Sequence, residues 1–389
     1  MRLVALATHP VQYLAPFFQA LAAAPGVDLK VLYAWMPTPE EQGVGFGESF
    51  EWDVPLLEGY SWGRIESVER KGGSPHGFDA LSAPRLREQL QAEAPQAVLI
   101  TGWHSRVLVQ GARAGRKLRL PVLVRGEAND LRHRPLWKRL GHRWMLRRFS
   151  ACLAIGRASR RLYLASGIAP ERIFDAPYSV DNARFAAEAD RLRPQRNELR
   201  QAWQVPGDGF CILFAGKLQA KKRPLDLLDA LEQARRTRSD LRLLIAGSGE
   251  LEPVLRERAR ERRLPVTFAG FLNQTEMPRA YAAADALVLP SDAGETWGLV
   301  VNEAMASGVP AVVSDRVGCR EDLVEDGVTG FSFPLGDTRT LVACLTSLAA
   351  DPIRAAAMGE AARQLVLSRY SIDRAVEGTV AALRSLGLP

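Results

Sequence analysis

Short apolar runs alternate with longer segments of helical periodicity along most of the chain. In the first half the runs are LVALAT (3–8), LKVLYAW (29–35), QAVLIT (96–101), PVLVRG (121–126) and ACLAIG (151–156), with amphipathic helices between them, such as 11–24 and 135–148. Strands that alternate with helices predict a parallel sheet with crossover helices. The pattern weakens over 181–208, a polar, arginine-rich passage with two prolines that reads as a linker and an entry helix. A second series follows: FCILFAG (210–216), LRLLIAG (241–247), VTFAG (266–270), ALVLP (286–290), PAVVS (310–314) and GFSFP (330–334). The expected fold class is therefore α/β, with two Rossmann-like domains facing each other across a cleft. Strand ends in both halves are rich in glycine and polar residues, and ligands of such sheets sit beyond the carboxyl ends of the strands. The interdomain cleft is the expected site. The expected division is 1–185, 186–368 and a terminal helical segment, 369–389. Whether that segment packs back on the N-terminal domain is left open.

Composition narrows this picture. A chain of 389 residues is too long for one ordinary core, which agrees with two domains. Hydrophobic residues at 47% and charged residues at 24% are those of a globular protein. The net charge of +7 is concentrated, because residues 113–148 hold twelve Lys/Arg against Glu127 and Asp130. The rest of the chain is net acidic, which argues against a nucleic-acid binder. No apolar run approaches the length needed to span a membrane, and the start, MRLVALATHP, reads as a first strand and not as a leader. A cytoplasmic protein is expected. Cys152, Cys211, Cys319 and Cys344 stand far apart in apolar surroundings and read as buried free thiols. His9, His76, His104, His133 and His142 lack metal-ligand spacing, and no D-x-D pair occurs, so no metal is expected. His104, just after the strand 96–101, either faces the cleft or is structural.

Three segments carry candidate chemistry. In FAGKLQAKKRPLDLLDAL (214–231), Lys217, Lys221, Lys222 and Arg223 crowd the start of a helix, where cations are unfavourable unless an anion is held. A phosphate site follows, with a solvated basic loop as the alternative. IAGSGELEP (245–253) has Gly247 and Gly249 but no third glycine, and reads as a tight turn. In GETWGLVVNEAMASGVP (294–310), Glu295 or Thr296 suits the N-cap, Gly298 would let a ligand approach the first-turn amides, and Gly308 and Pro310 end the helix. Glu303, in the middle of this apolar helix, is expected to meet a partner. Finally, PLWKRLGHRWMLRRF (135–149) is an amphipathic basic helix. It reads either as a docking surface for anionic membrane or as a core-packed helix with a solvated basic face.

Together these residues resemble the family 4 retaining glycosyltransferases. Glu295 and Glu303, with seven residues between them, match the E-x7-E signature, and FAGKLQAKKRPLDLL is similar to the family's phosphate loop. FAGFLNQTEMPRAYAAADALVLPS and DRVGCREDLVEDGVTGFSFPLGD resemble the flanking stretches, and PYSVDNARF the interdomain motif, with Tyr178-Ser179 where Asn-Gly is common. The resemblance is specific over roughly 205–340 and implies the GT-B fold. It implies that Gly216, Lys217 and Lys222 hold the donor diphosphate, together with the amides of Gly298 and Leu299. It implies that Glu303 binds the ribose hydroxyls, that Glu295 binds the transferred sugar, and that the backbone near Leu272 borders the base. The co-substrate would be a nucleoside-diphosphate sugar, with no further cofactor. The acceptor would be a glycan or lipid-linked glycan of a surface polysaccharide, reached at the inner membrane face through residues 135–149. The first half departs from the pattern. THPVQYLAPF replaces the common Gly-Gly loop, and Glu127 falls about where a cleft histidine is common. Glu127 is therefore either a residue contacting the reacting sugar or the partner of Arg125 in a structural pair. Lys222, Glu295 and Glu127 are the expected catalytic set. The alternatives are another GT-B enzyme, a sugar-nucleotide epimerase or a phosphorylase, or a non-catalytic sugar-nucleotide-binding protein.

Overall fold

The computed structural model describes residues 1–72 and 77–388; His76 lies outside the described residues. The chain forms two compact units. One comprises Met1–Glu41, Pro55–Tyr178 and Ile372–Pro389, and the other Gln42–Val54 and Ser179–Ser371. The first contains, in chain order, β1 (Arg2–Ala7), β2 (Asp28–Tyr33), β3 (Ser61–Arg64), β4 (Glu69–Arg70), β5 (Leu81–Ser82), β6 (Ala97–Ile100), β7 (Val122–Val124), β8 (Ala151–Ala154) and β9 (Ile173–Asp175). The short β4–β5 pair is antiparallel, and the others form a parallel sheet in the order β3-β2-β1-β6-β7-β8-β9. The second unit contains β10 (Phe210–Ala215), β11 (Leu241–Ala246), β12 (Val266–Gly270), β13 (Ala286–Leu289), β14 (Ala311–Ser314) and β15 (Gly330–Phe333), in the order β12-β11-β10-β13-β14-β15.

The central strands are apolar at most positions because both faces of the sheet are covered. Val4 and Leu6 of β1 enter one core of the first unit, while Leu3, Ala5 and Ala7 enter the other. The terminal helix, Ile372–Ser385, closes the latter core with Ala375, Ala382 and Leu383. The six strands expected in the second half are all present. In the first half, β3 and β9 carry no strand signal in the sequence. They are short edge strands with one neighbour each, and β3 is mostly exposed.

The passage 181–208 is more ordered than a linker. It forms helices Asn182–Leu192 and Arg196–Ala202, so the expected boundary at 185/186 falls inside a helix. Phe185, Ala186, Ala189 and Leu192 supply a buried stripe. Arg196 and Arg200 both pair with Asp285 and donate to the carbonyls of Ala282, Ala283 and Ala284. The arginines that look like linker composition satisfy the carbonyl end of the neighbouring helix Met277–Ala283. Within PYSVDNARF, Asp181 caps its helix through the Arg184 amide, and Asn182 donates to the carbonyls of Val366 and Tyr370.

The four cysteines are buried and unpaired, and burial pushes the Cys152 and Cys211 thiols up to about 12. Among the described residues, no single helix is long and apolar enough to cross a membrane. In both sheets the winding reverses beside the first strand, between β1 and β6 and between β10 and β13. The crevice beyond the carboxyl ends of such a strand pair is the ligand position of doubly wound sheets.

Candidate active site

In the second unit that position is formed by the loops after β10 and β13. The first runs through Gly216 and Lys217 to a single turn at Ala220–Lys222 and the helix Pro224–Ala234. The second runs through Glu295 and Gly298 to the helix Leu299–Ala306. Two contacts bind the loops together: the Asp292 amide donates to the Lys221 carbonyl at 2.9 Å, and the Lys222 ammonium donates to the Glu295 carboxylate. This ion pair is largely buried, with side chains 13% and 14% exposed. Of the other cations in the loop, Arg223 is matched by Asp226 at the helix start.

The loops after β11 and β12 extend this floor. The Leu218 amide donates to Ser248, and the Gly247 amide to Gly270. A Cβ on Gly247 would stand 2.1 Å from the Gly216 carbonyl oxygen. The glycine pair 247/249 therefore serves backbone-to-backbone packing of adjacent strand ends, which is more specific than a tight turn.

The signature helix starts later than its sequence implies. Its N-cap is Gly298, not Glu295 or Thr296, and no side chain caps it. The Glu295 and Trp297 carbonyls accept from the amides of Gly318 and Cys319, which keeps them out of the helix. Gly298 has φ of 99°, and a Cβ there would meet Leu289 at 2.8 Å and Val317 at 3.1 Å. Backbone conformation and the core beneath it are thus enough to demand glycine here. The expected C-terminus holds, with Gly308 and Val309 donating back to Met305 and Ala304.

Glu303 has the partner its position requires. It is 6% exposed and accepts the Tyr281 hydroxyl at 2.7 Å. Burial raises its pKa above the ordinary glutamate value, and the Tyr281 hydrogen bond, the Arg184 charge and Gln274 oppose this in part. Arg184 is held in place by two bonds to Gln274.

Lys217, Phe271 and Asn273, the last two flanking Leu272, border a segment that sequence reading leaves unassigned. Residues 42–54 pack within this unit although the strands on either side of them in sequence lie in the other. Phe46 and Phe50 pack on Phe271 at ring distances of 4.8 and 4.2 Å. Asn273 donates to the Glu51 carbonyl, Ser248 to Glu48, and Thr275 to Asp53. Lys217 donates to the Val44 carbonyl at 2.6 Å with its ammonium over the Phe46 ring, and burial, with Lys221 and Lys222 nearby, lowers its pKa. The available signal was the aromatic, glycine-spaced composition of GVGFGESFEW.

In the first unit, Glu127 follows β7 and is half-buried. Its Oε1 accepts from the Tyr178 hydroxyl at 2.5 Å and from the Tyr13 hydroxyl at 3.3 Å. Arg125, buried, stacks on the rings of Phe17 and Tyr178 and donates to the Pro177 carbonyl. Tyrosine hydroxyls, and no Arg125 ion pair among the described residues, orient the carboxylate. His104 lies near enough for the Glu127 charge to oppose the burial that lowers its pKa. Three departures from the family pattern thus meet at one point. The altered loop after β1 supplies Tyr13, the altered interdomain motif supplies Tyr178, and both hold Glu127, which falls about where the resemblance expects a histidine.

Residues 195–365 match the family model described as glycosyl transferases group 1, and residues 10–178 match the glycosyl transferase 4-like domain. The lipopolysaccharide 1,2-N-acetylglucosaminetransferase of Salmonella typhimurium is 30% identical over 218 residues, covering 53% of this chain and 56% of that protein. The GDP-mannose-dependent alpha-(1-6)-phosphatidylinositol monomannoside mannosyltransferase of Mycolicibacterium smegmatis is 32% identical over 219 residues, covering 54% and 56%. The chain spans about half the length of the curated relatives it matches. Among solved structures, Anabaena HepE in complex with UDP and glucose is similar at TM-score 0.73 and 19% identity, covering 99% of this chain and 100% of that one. With both halves matched in chain order and the fold shared from end to end, the chain belongs to the family 4-like glycosyltransferases of the GT-B fold.

Proposed function

We propose that this protein transfers a sugar from a nucleoside-diphosphate sugar to a hydroxyl of a glycan or glycolipid, with retention at the anomeric carbon. The observation that carries the reading is the meeting of Lys217, Lys222, Glu295 and the start of the helix Leu299–Ala306 at the carboxyl ends of β10 and β13. Lys222 retains N–H donors beyond its bond to Glu295, and these, with Lys217 and the amides of Gly298 and Leu299, would hold the diphosphate beside Gly216. The free oxygen of Glu295 would accept from the sugar hydroxyls, Glu303 from the ribose, and the backbone near Leu272 would border the base. As the bond from the anomeric carbon to the phosphate oxygen breaks, the charge left on the diphosphate would be stabilised by groups already in place. The acceptor oxygen bonds to that carbon, and its proton passes to the departing phosphate. Positive charge comes from lysines and amides, so no role is assigned to a metal or other cofactor.

Glu127, held by two tyrosines, would contact the reacting sugar from the acceptor side. Glu127→Gln is expected to slow turnover with donor affinity intact, and normal turnover would exclude this role. The names of the relatives, which act on lipopolysaccharide and a phosphatidylinositol mannoside, support a surface glycan or glycolipid acceptor. So does the helix Leu136–Leu146, whose apolar stripe is not core-packed: Leu136, Trp137, Leu140 and Trp144 are 56–69% exposed. We assign it to peripheral contact with an anionic membrane surface on the cytoplasmic side. Liposome binding should require anionic lipid and weaken on loss of Arg139, Arg143 and Arg147.

A thermal-shift screen against UDP-, GDP-, ADP- and dTDP-sugars tests the central reading. One nucleotide class should raise the melting temperature in a concentration-dependent way. No shift with any of them removes the proposal, and release of a new free sugar nucleotide without acceptor would replace transfer by epimerisation.

A further inference from the structure

The cations of the loop after β10 are matched unequally. Lys222 meets Glu295 and Arg223 meets Asp226, whereas no carboxylate pairs with Lys217 among the described residues. Two neutral groups hold the Lys217 ammonium instead. They are the Val44 carbonyl at 2.6 Å and the face of the Phe46 ring, whose centre lies 4.6 Å away. Both belong to the segment 42–54 of the second unit. That segment is fixed at several points. The Phe46 and Gly47 amides close a turn on the Gly43 carbonyl, Glu48 accepts from Ser248 at 3.0 Å, and Thr275 donates to Asp53. A Cβ on Gly45 would stand 3.1 Å from Cδ of Lys217, so the segment lies directly on the lysine stem.

A carbonyl dipole and a ring face orient an ammonium without cancelling its charge. Lysine has three N–H donors, and Val44 takes one of them. A segment that blocked an anion site would bring its own carboxylate to the lysine. Glu48 stands two residues from Phe46 and is turned to Ser248 instead. Burial, with Lys221 and Lys222 nearby, already disfavours the charge on Lys217, and a bound anion would relieve this. We propose that Phe46 and the Val44 carbonyl are positioning groups for the donor, holding the Lys217 ammonium where it meets the diphosphate. This rests on the glycosyltransferase reading and deepens it. Segment 42–54 becomes a wall of the nucleotide site, running from the phosphate end at Lys217 to Asn273, which follows Leu272 at the base border.

The test is a double-mutant cycle on the full chain. Its readout is the dissociation constant of whichever of UDP, GDP, ADP and dTDP the parent binds most tightly. Phe46→Leu keeps apolar bulk against Phe271 and removes the ring face, and it should weaken the nucleotide by about five- to tenfold. Phe46→Tyr keeps the face and should stay within about twofold of the parent. In a Lys217→Met background, Phe46→Leu should weaken binding by less than about twofold more, because its effect passes through the lysine. Phe50→Leu is the control. Its ring also packs on Phe271 but does not underlie the ammonium, so it should show no coupling to Lys217. If the melting temperature shows Phe46→Leu to be poorly folded, Phe46→Met serves in its place. Losses that add across Phe46 and Lys217, or equal coupling from Phe50, would make the ring a packing or base-contacting group and overturn the proposal. Tighter binding by Phe46→Leu would overturn it as well, making the segment a plug that the nucleotide must displace. A parent that binds none of the four nucleotides sinks the transferase reading and this inference with it. Binding by the parent with additive losses sinks only the inference.

Discussion

Replacing Lys222 with methionine is expected to reduce sugar transfer by about 10²–10³-fold, the usual cost of removing one preorganised donor to a developing charge. It is also expected to destabilise the second unit. The Lys222–Glu295 pair is largely buried, and taking away one partner leaves a carboxylate out of water without its counterion, at a cost of about 3 kcal/mol. For a unit of this size that lowers the melting temperature by roughly 6–12 °C. The double variant Lys222→Met/Glu295→Gln separates the two effects. With both charges gone, most of the lost stability should return while transfer stays as low as in the single variant, because the pair is retained for catalysis more than for folding. A single variant as active as the parent would remove Lys222 from the site. A double variant no more stable than the single one would show that the pair is not the source of the loss. Glu295→Ala complements this. Transfer should fall while nucleoside diphosphate still binds, since the carboxylate is assigned to the sugar and the lysines to the phosphates.

The two sheets were legible because their central strands are covered on both faces and therefore apolar almost throughout, as in β1 beyond Arg2, β10 and β13. Edge strands β3 and β9 were not, because a strand with one neighbour and a solvated face carries little apolar signal. The start of the signature helix was misplaced for a nonlocal reason. Glu295 and Thr296 are good caps locally, but the carbonyls around them are engaged by Gly318 and Cys319, a contact no window around Glu295 contains. Most of the residues proposed to hold the donor lie in two continuous stretches, 216–222 and 295–303, which spacing alone picks out. The arrangement around Glu127 could not, since Tyr13 and Tyr178 stand 114 and 51 residues from it in sequence. What was visible was only that the pattern departed at three places, not that the three departures touch. The helix Leu136–Leu146 is the converse case. Its periodicity fits a packed or an unpacked helix equally well, and only the exposure of Trp137 and Trp144 shows that this stripe stays out of the core.

Glu303 should trade stability for function, and the trade has a pH signature. Glu303→Gln keeps an acceptor for the Tyr281 hydroxyl but removes a charge that burial disfavours. Loss of charge-assisted bonds to the ribose hydroxyls should weaken nucleoside diphosphate by about 10–100-fold. The same change should raise the melting temperature at neutral pH. Because the native pKa lies above the unfolded value of 4.5, the native state holds its proton longer than the unfolded chain does. The stability linked to that proton is complete below pH 4.5 and is lost as pH rises through the native pKa. The wild-type protein suffers this loss and the glutamine variant does not. The difference in melting temperature between them should therefore grow from mildly acid pH upward and then level off. Melting curves of both proteins from pH 4 to 8, alongside nucleotide titrations, give the two halves of the trade. A difference that shrinks as pH rises would mean that Tyr281 and Arg184 outweigh burial and that the ionised form is the favoured one in the native state. Unchanged nucleotide affinity would move Glu303 out of the donor site and leave it a buried structural carboxylate.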